Sequence, residues 1–333
     1  MGSLKKLAGQ TIWYGLSNIA SKLLNQILTP IITYLLNSPS GMVDFGNYSM
    51  LYACISFANI IYTYGLETAY FRFSANGTNK FALFQTTFSS LIISSVVLST
   101  IILLYRTSIA NFIGIGGHSE YIIWCVLIIS IDTLAAIPFA RLRQEGRPKK
   151  YAFVRMGGIV VNIFLTVFFM QLCPRYVAEH PETGFAQWYR GNTSVGFLIL
   201  ANLFQAAFTF LLLAKEWMSY RFGMDRLLLK KILVYSWPMV IGGLGGMVNE
   251  TIDRLMLPKL YIGTAEEKKI ALSIYAANYK ISIFITLFIQ AFRMSAEPFF
   301  FSQAADRNAT ATYARVMKWF VLTLCVAFLF RSE

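Results

Sequence analysis

The chain has 333 residues, of which 56% are apolar and only 14% charged, against about 25% charged in ordinary soluble domains. These figures exclude a soluble globular protein, which needs more charge to cover its surface, and a disordered chain, which is poor in apolar residues; four Cys at this length exclude a disulfide scaffold. The net charge of +13, from 29 Lys+Arg and 16 Asp+Glu, leaves anionic lipid, an anionic substrate or nucleic acid as partners until the charges are placed.

About nine apolar runs of spanning length follow in chain order, at roughly 11–36, 45–66, 82–105, 120–142, 151–173, 195–216, 232–258, 271–293 and 315–331. Each must be a helix, because lipid cannot satisfy exposed backbone groups. Barrel strands would instead alternate over roughly ten residues, and no such segment occurs. The chain therefore reads as an all-α integral membrane protein. The longest connections are 174–194 and 217–231.

Span one follows Met1-Gly2-Ser3-Leu4-Lys5-Lys6. It is long and polar-striped and lacks a small-x-small cleavage site, so it reads as a retained helix rather than a leader. Asn18, Lys22, Asn25, Gln26, Thr29 and Thr33 fall on one helical face, opposite Ile19, Leu23, Leu24, Ile27 and Leu28. Lys22 lies near mid-span, where an isolated Lys costs about 2.5–3.5 kcal/mol on insertion scales. Two readings stand: a polar stripe lining a cavity, with Lys22 facing an anionic substrate, or a structural Lys bonded to neighbouring helices.

Glu67 and Arg72 flank the inner end of span two, where solvation accounts for both. Gly114-Ile115-Gly116-Gly117, after span three, reads as a loop turn, since no strand precedes it. Asp132 lies mid-way along span four and either holds a cation or proton or pairs with Lys22. Span seven is richest. After Trp237-Pro238 come Gly242, Gly243, Gly245 and Gly246, then Asn249, Glu250, Asp253 and Arg254. Gly242 and Gly246 form G-x-x-x-G, which with Pro238 predicts a hinge or close helix packing. Glu250 and Arg254 are spaced for one face, and Asp253 is placed to meet Lys280 of span eight. This is either a substrate-responsive charge cluster or compensation within a bundle. His118 and His180 are far apart, no metal-ligand spacing exists, and each Cys reads as a small apolar residue. No enzyme chemistry is legible and no metal site is expected.

With the N-terminus inside, nineteen of the 29 Lys+Arg fall on inner segments, seven on outer ones and three (Lys22, Arg254 and Lys280) within spans. The excess is topological: N-terminus cytoplasmic, C-terminus outside, no nucleic acid. The basic segment 217–231 predicts a linker between a first lobe, 1–216, with helices one to six, and a second, 232–333, with helices seven to nine.

These residues also carry a resemblance. Leu7-Ala8-Gly9-Gln10-Thr11 before the striped first helix, then Asp44-Phe45-Gly46-Asn47-Tyr48, then Tyr64-Gly65-Leu66-Glu67-Thr68-Ala69-Tyr70-Phe71-Arg72, resemble bacterial polysaccharide (O-antigen type) flippases. These belong to the multidrug/oligosaccharidyl-lipid/polysaccharide exporter superfamily. Arg141-Leu142-Arg143 through Arg155, ahead of Val161-Asn162-Ile163, is similar to the same family. The most specific stretch is Ser236-Trp237-Pro238 with Ile252-Asp253-Arg254, Ile274-Tyr275-Ala276-Ala277-Asn278-Tyr279-Lys280, Phe292-Arg293 and Glu297-Pro298-Phe299.

The resemblance implies two six-helix lobes around a central cavity in the bacterial inner (plasma) membrane. It implies movement of a polyprenyl-diphosphate-linked oligosaccharide between leaflets for surface polysaccharide such as the O-antigen of lipopolysaccharide. Lys22, Arg254 and Lys280 are then the expected substrate contacts, beside Asn18, Asn25 and Gln26. Asp132, Glu250 and Asp253 are candidates for ion coupling or charge pairing. No cofactor is implied beyond a proton or sodium gradient; the implied partners are the lipid-linked oligosaccharide, membrane lipid, and polymerase and glycosyltransferase proteins. Against that pattern the chain stops after its ninth span, which predicts a C-terminally truncated product. A peptidoglycan-precursor flippase, a drug/cation antiporter of the same superfamily and an inactive fragment remain alternatives; an antiporter would favour acidic cavity residues.

Overall fold

The computed structural model describes residues 38–75 and 77–279, together with 20, 24, 28, 30–36, 314, 317, 318, 321 and 322. Two compact units divide it, Met1–Ala276 and Ala277–Glu333. Everything below concerns the first. The described residues of the second are helical.

Ser38 opens the first long helix, α1 (Pro39–Thr63). Its hydroxyl accepts from the Gly41 N–H at 3.1 Å, and Pro39 stands in the first turn, where no N–H is needed. The helix stops at Tyr64, which takes a left-handed φ of 32°, followed by Gly65 at 71°. A non-glycine residue in that region is strained. The Tyr64 hydroxyl is held 2.6 Å from Ser90 Oγ. The break redirects the chain into α2 (Leu66–Ala75). Asn79 caps α3 (Lys80–Leu104), accepting from the N–H groups of Phe81 and Ala82. A short α4 (Arg106–Ile113) ends on Gly114 at φ 84°, where glycine carries no steric penalty. That makes the glycine run 114–117 a turn, as its sequence indicates.

Next come α5 (Glu120–Gln144) and α6 (Pro148–Val167). A π-helical turn at Phe168–Leu172 leads into α7 (Cys173–Glu179), and α8 (Gly184–Arg190) follows. The expected connection 174–194 is thus largely two short helices. Thr183 accepts from the Ala186 N–H at 3.2 Å and starts the second of them. After α9 (Ser194–Leu212) and α10 (Ala214–Trp217) comes α11 (Arg226–Leu260). Residues 265–276 are helical again.

The basic segment 217–231 includes the start of α11. The Asp225 carboxylate caps α11 by accepting from the Leu227 and Leu228 N–H groups, so Arg226, Lys230 and Lys231 belong to a helix. The preceding residues are tied to α3: Ser89 Oγ donates to Gly223 O at 2.9 Å, and the Asp225 N–H reaches Thr86 Oγ1 at 3.2 Å. The helix itself packs against α1, α2 and α3, and the compact-unit division falls at 276/277.

Six stretches among the described residues are long and apolar enough to cross a membrane: Pro39–Ser74, Lys80–Leu104, Glu120–Gln144, Pro148–Glu179, Ser194–Leu212 and Arg226–Leu260. They cover the expected spans two to seven apart from residues 105 and 213–216. Spans one, eight and nine lie wholly or mostly outside the described residues. The core forms where α9 packs on α5 and α6, and where α5 packs on α3. Leu66, Tyr70, Phe84, Phe88, Ile137 and Ile232 make one apolar cluster. The opposite faces stay apolar and uncovered: Phe153, Val160 and Phe164 on α6, Phe204, Phe208 and Leu211 on α9, and Trp237, Ile241 and Val248 on α11 are all exposed. Water would penalise such stripes, whereas lipid matches them. The fold is an all-α, multi-pass membrane bundle.

Candidate functional site

Inside the bundle the polar groups collect between α1, α5, α6 and α9. Asn162 of α6 is buried. Its amide donates to Asn202 Oδ1 at 2.8 Å and to Gln205 Oε1 at 2.6 Å, both on α9, and its carbonyl accepts from Thr166 Oγ1 at 3.2 Å. Asn202 donates to the Leu198 carbonyl and, more weakly at 3.4 Å, to the Tyr48 hydroxyl of α1. Tyr48 in turn packs on Tyr52, with ring centroids 4.4 Å apart. This network was not among the expected site residues. Its signal was present, since Asn162, Asn202 and Gln205 interrupt otherwise apolar runs. Weighing uncharged polar groups only where they repeat along one face, as in span one, passes over them.

Asp132 stands half-way along α5 with an accessible side chain. Its charge is felt at Tyr52, and the cation acting on it is Arg155 of α6. The guanidinium of Arg155 lies 5.0 Å over the Phe139 ring. The expected alternative partner, Lys22, lies outside the described residues with Asn18, Asn25, Gln26 and Lys280.

On α11 the helix runs unbroken through Pro238 and the glycines, where the sequence left a hinge and close packing as alternatives. Pro238 is exposed. Among the described residues, nothing lies within 4 Å of a side chain that would stand at Gly242, Gly245 or Gly246, while Gly243 packs 3.2 Å from Ile60. Close approach thus occurs at Gly243, one position away from the predicted G-x-x-x-G. Asp253 accepts from the Tyr275 hydroxyl and from the Arg254 backbone N–H. Glu250 is exposed and Arg254 half-buried.

The end of the bundle where α5 leads into α6 is held by ion pairs. Glu216 of α10 is 2% exposed and accepts from Lys150 Nζ at 2.6 and 2.8 Å and from Arg147 Nη1 at 2.9 Å. Arg141 bonds the Glu216 carbonyl, Ser219 Oγ and Glu145 Oε1, at 2.9, 2.9 and 2.8 Å. Arg143 pairs with Glu67. Burial works to raise the pKa of the Glu145 carboxyl, but the hydrogen bonds and charges of Arg141 and then Arg147 outweigh it and hold the group below the ordinary value of 4.5. Among the described residues, no cluster of three or more His, Cys, Asp or Glu is placed to hold a metal ion.

A bundle of membrane-length helices with polar and ionisable residues in its interior defines a transporter-type membrane protein. Comparison with known proteins agrees. The family model described as "Polysaccharide biosynthesis protein" matches residues 7–303, and the chain belongs to that family. No curated protein matches. Among solved structures, the chain is similar to a mutant form of the Vibrio cholerae MATE transporter VcmN. The identity is 13% and the TM-score 0.62, over 99% of this chain and 74% of that one. The bent form of VcmN gives 14% identity and a TM-score of 0.54 with the same coverage. At such identities the likeness shows the fold, which is that of a MATE transporter.

Proposed function

We propose that the chain moves a polyprenyl-diphosphate-linked oligosaccharide from the inner to the outer leaflet of the bacterial inner membrane, by alternating access around a cationic cavity. The observation that carries this reading is the family match over residues 7–303, on a fold shared with a transporter. Lys22, Arg254 and Lys280 are the cations at membrane depth, and an anionic diphosphate needs such charges to leave water. Asn18, Asn25 and Gln26 supply hydrogen bonds for sugar hydroxyls. Asp132, beside Arg155, is the proposed proton- or sodium-responsive group, with Glu250 and Asp253 as charge partners on α11. Polymerase and glycosyltransferase proteins would supply and consume the cargo.

The test is reconstitution of the 333-residue chain in vesicles carrying a polyprenyl-diphosphate glycan, with the glycan's appearance at the opposite leaflet as the signal. Transport is expected. Lys22→Gln, Arg254→Gln and Lys280→Gln should each slow it by tenfold or more at unchanged protein level, as loss of about 1.4 kcal/mol of transition-state stabilisation would. Unchanged transport in all three variants would overturn the cationic-cavity mechanism.

A further inference from the structure

A cavity of about 610 Å³ opens between α2 and α11, lined by Arg72, Phe73, Lys231, Tyr235, Pro238 and Met239 among others. Its charges are one-sided. Four cations elsewhere have carboxylate partners: Arg141 with Glu145, Arg143 with Glu67, and Arg147 and Lys150 with Glu216. Among the described residues, Arg72 and Lys231 form no ion pair and no carboxylate lines the cavity they share. Two like charges on facing walls of a cavity repel, and an anion between them relieves that repulsion.

The cavity has a direction. The Arg72 guanidinium lies 4.1 Å over the Tyr235 ring, and Phe73 meets the same ring edge-on at 6.2 Å. Tyr235 thereby contacts both Phe73 and Arg72, and a guanidinium over a ring keeps N–H donors for phosphate oxygens. From Lys231 to Met239 the axis of α11 advances about 12 Å, at about 1.5 Å per residue. The cations sit at the inner membrane surface and the apolar wall of Pro238 and Met239 lies deeper. Cation at the surface and apolar groups below match an anionic amphiphile.

We infer that this cavity binds the phosphate of a lipid at the inner face, with Arg72 and Lys231 on the phosphate oxygens and the first methylenes of the chain against Pro238 and Met239. Tyr235 acts as a positioning residue for Arg72. Reading this lipid as the transported cargo, captured before it enters the bundle, rests on the proposed function. The phosphate–lipid site does not.

The full chain in phosphatidylcholine nanodiscs is titrated with farnesyl diphosphate, using inorganic pyrophosphate and phosphatidylglycerol as competitors. Farnesyl diphosphate should bind. Arg72→Gln and Lys231→Gln should each weaken it by about tenfold or more, the loss expected for one charge-assisted contact. Arg72→Lys should recover part of that loss. Pyrophosphate should compete only at higher concentration, because it lacks the chain. Displacement by phosphatidylglycerol at equal mole fraction would support the site with a bilayer lipid as its phosphate source; failure to displace would support a prenyl diphosphate. Wild-type affinity in both Gln variants would overturn the site, as would a wild type that binds none of the three probes. If the chain flips a glycan lipid while the variants bind unchanged, the site fails and the transport reading stands. If binding depends on Arg72 and Lys231 but nothing is flipped, the transport reading fails and the site stands.

Discussion

Lys150 Nζ lies 2.6 Å from Oε2 of Glu216, and that carboxylate is 2% exposed. Glu216 also accepts from Arg147, so a single buried acid joins the loop after α5 and the start of α6 to α10. Removing it would leave two cations facing each other without their shared anion. Breaking a fully buried pair costs about 3–5 kcal/mol, but Arg147 and Lys150 retain contact with solvent, so about 2 kcal/mol is expected for Glu216→Ala. The thermal midpoint of the purified protein should fall by several degrees. The double variant with Lys150→Ala should lose less than the sum of the two singles. An unchanged midpoint would show that the ion pairs do not tie these segments together.

Glu145 gives a pH dependence with a definite sign. Its folded-state carboxyl titrates below 4.5 because Arg141 and Arg147 outweigh burial. A depressed pKa adds stability above the unfolded-state value, and this is lost as pH falls through the folded-state value. Wild type should therefore lose stability below about pH 4.5 more steeply than Glu145→Gln, and the two should differ little in slope between about pH 6 and pH 8. The side chains are partly exposed, so the effect is under about 1 kcal/mol. Melting curves across that range check it; parallel acid limbs would remove the assignment.

The spans were legible because lipid leaves the backbone no alternative to helix: the expected run 120–142 sits inside Glu120–Gln144, and 82–105 nearly coincides with Lys80–Leu104. The turns and partners were less so. Tyr64 adopts a left-handed φ that its residue type disfavours, because α3 supplies Ser90 and Ser94 to its hydroxyl. Glu67 and Arg72 look like a solvated local pair, yet Glu67 goes to Arg143 of α5 and Arg72 stacks on Tyr235 of α11. Glu216, beside Lys215 in a connecting segment, carries no sign of burial, since its cations come from Arg147 and Lys150, far back in the chain. These features depend on which helices meet, and hydropathy periodicity does not specify that.

Asn162 tests the interior network. Both its amide hydrogens are used, so Asn162→Ala strands Gln205 Oε1 and Asn202 Oδ1 in the bundle. Hydrogen bonds between membrane helices are worth about 0.6–1.7 kcal/mol each, so the variant should lose about 1–3 kcal/mol. Asn162→Asp presents two acceptors to two acceptors and should be worse than Ala, as read by detergent-solubilised stability. Equal stability of Asn162→Asp and wild type would mean that the amide bonds are not formed.

Gly46 tests how the segment after α11 is seated. The residue belongs to Asp44-Phe45-Gly46-Asn47-Tyr48 near the start of α1, and a Cβ there would stand well inside contact distance of the Lys269 carbonyl oxygen. That neighbour is backbone, so no side-chain rotation relieves the clash. On the same helical segment, Lys269 Nζ donates to the Gly114 carbonyl at 3.0 Å, and nearby on α11 Lys259 lies 4.2 Å over the Phe112 ring. Gly46→Ala must push the 265–276 helix off α1. Overpacking of this kind costs about 1–3 kcal/mol, against the small gain that Ala ordinarily brings inside a helix. Gly243→Ala, facing only the flexible end of Ile60 at 3.2 Å, should be close to neutral by comparison. A Gly46→Ala variant as stable as wild type would show that this helix does not rest on α1.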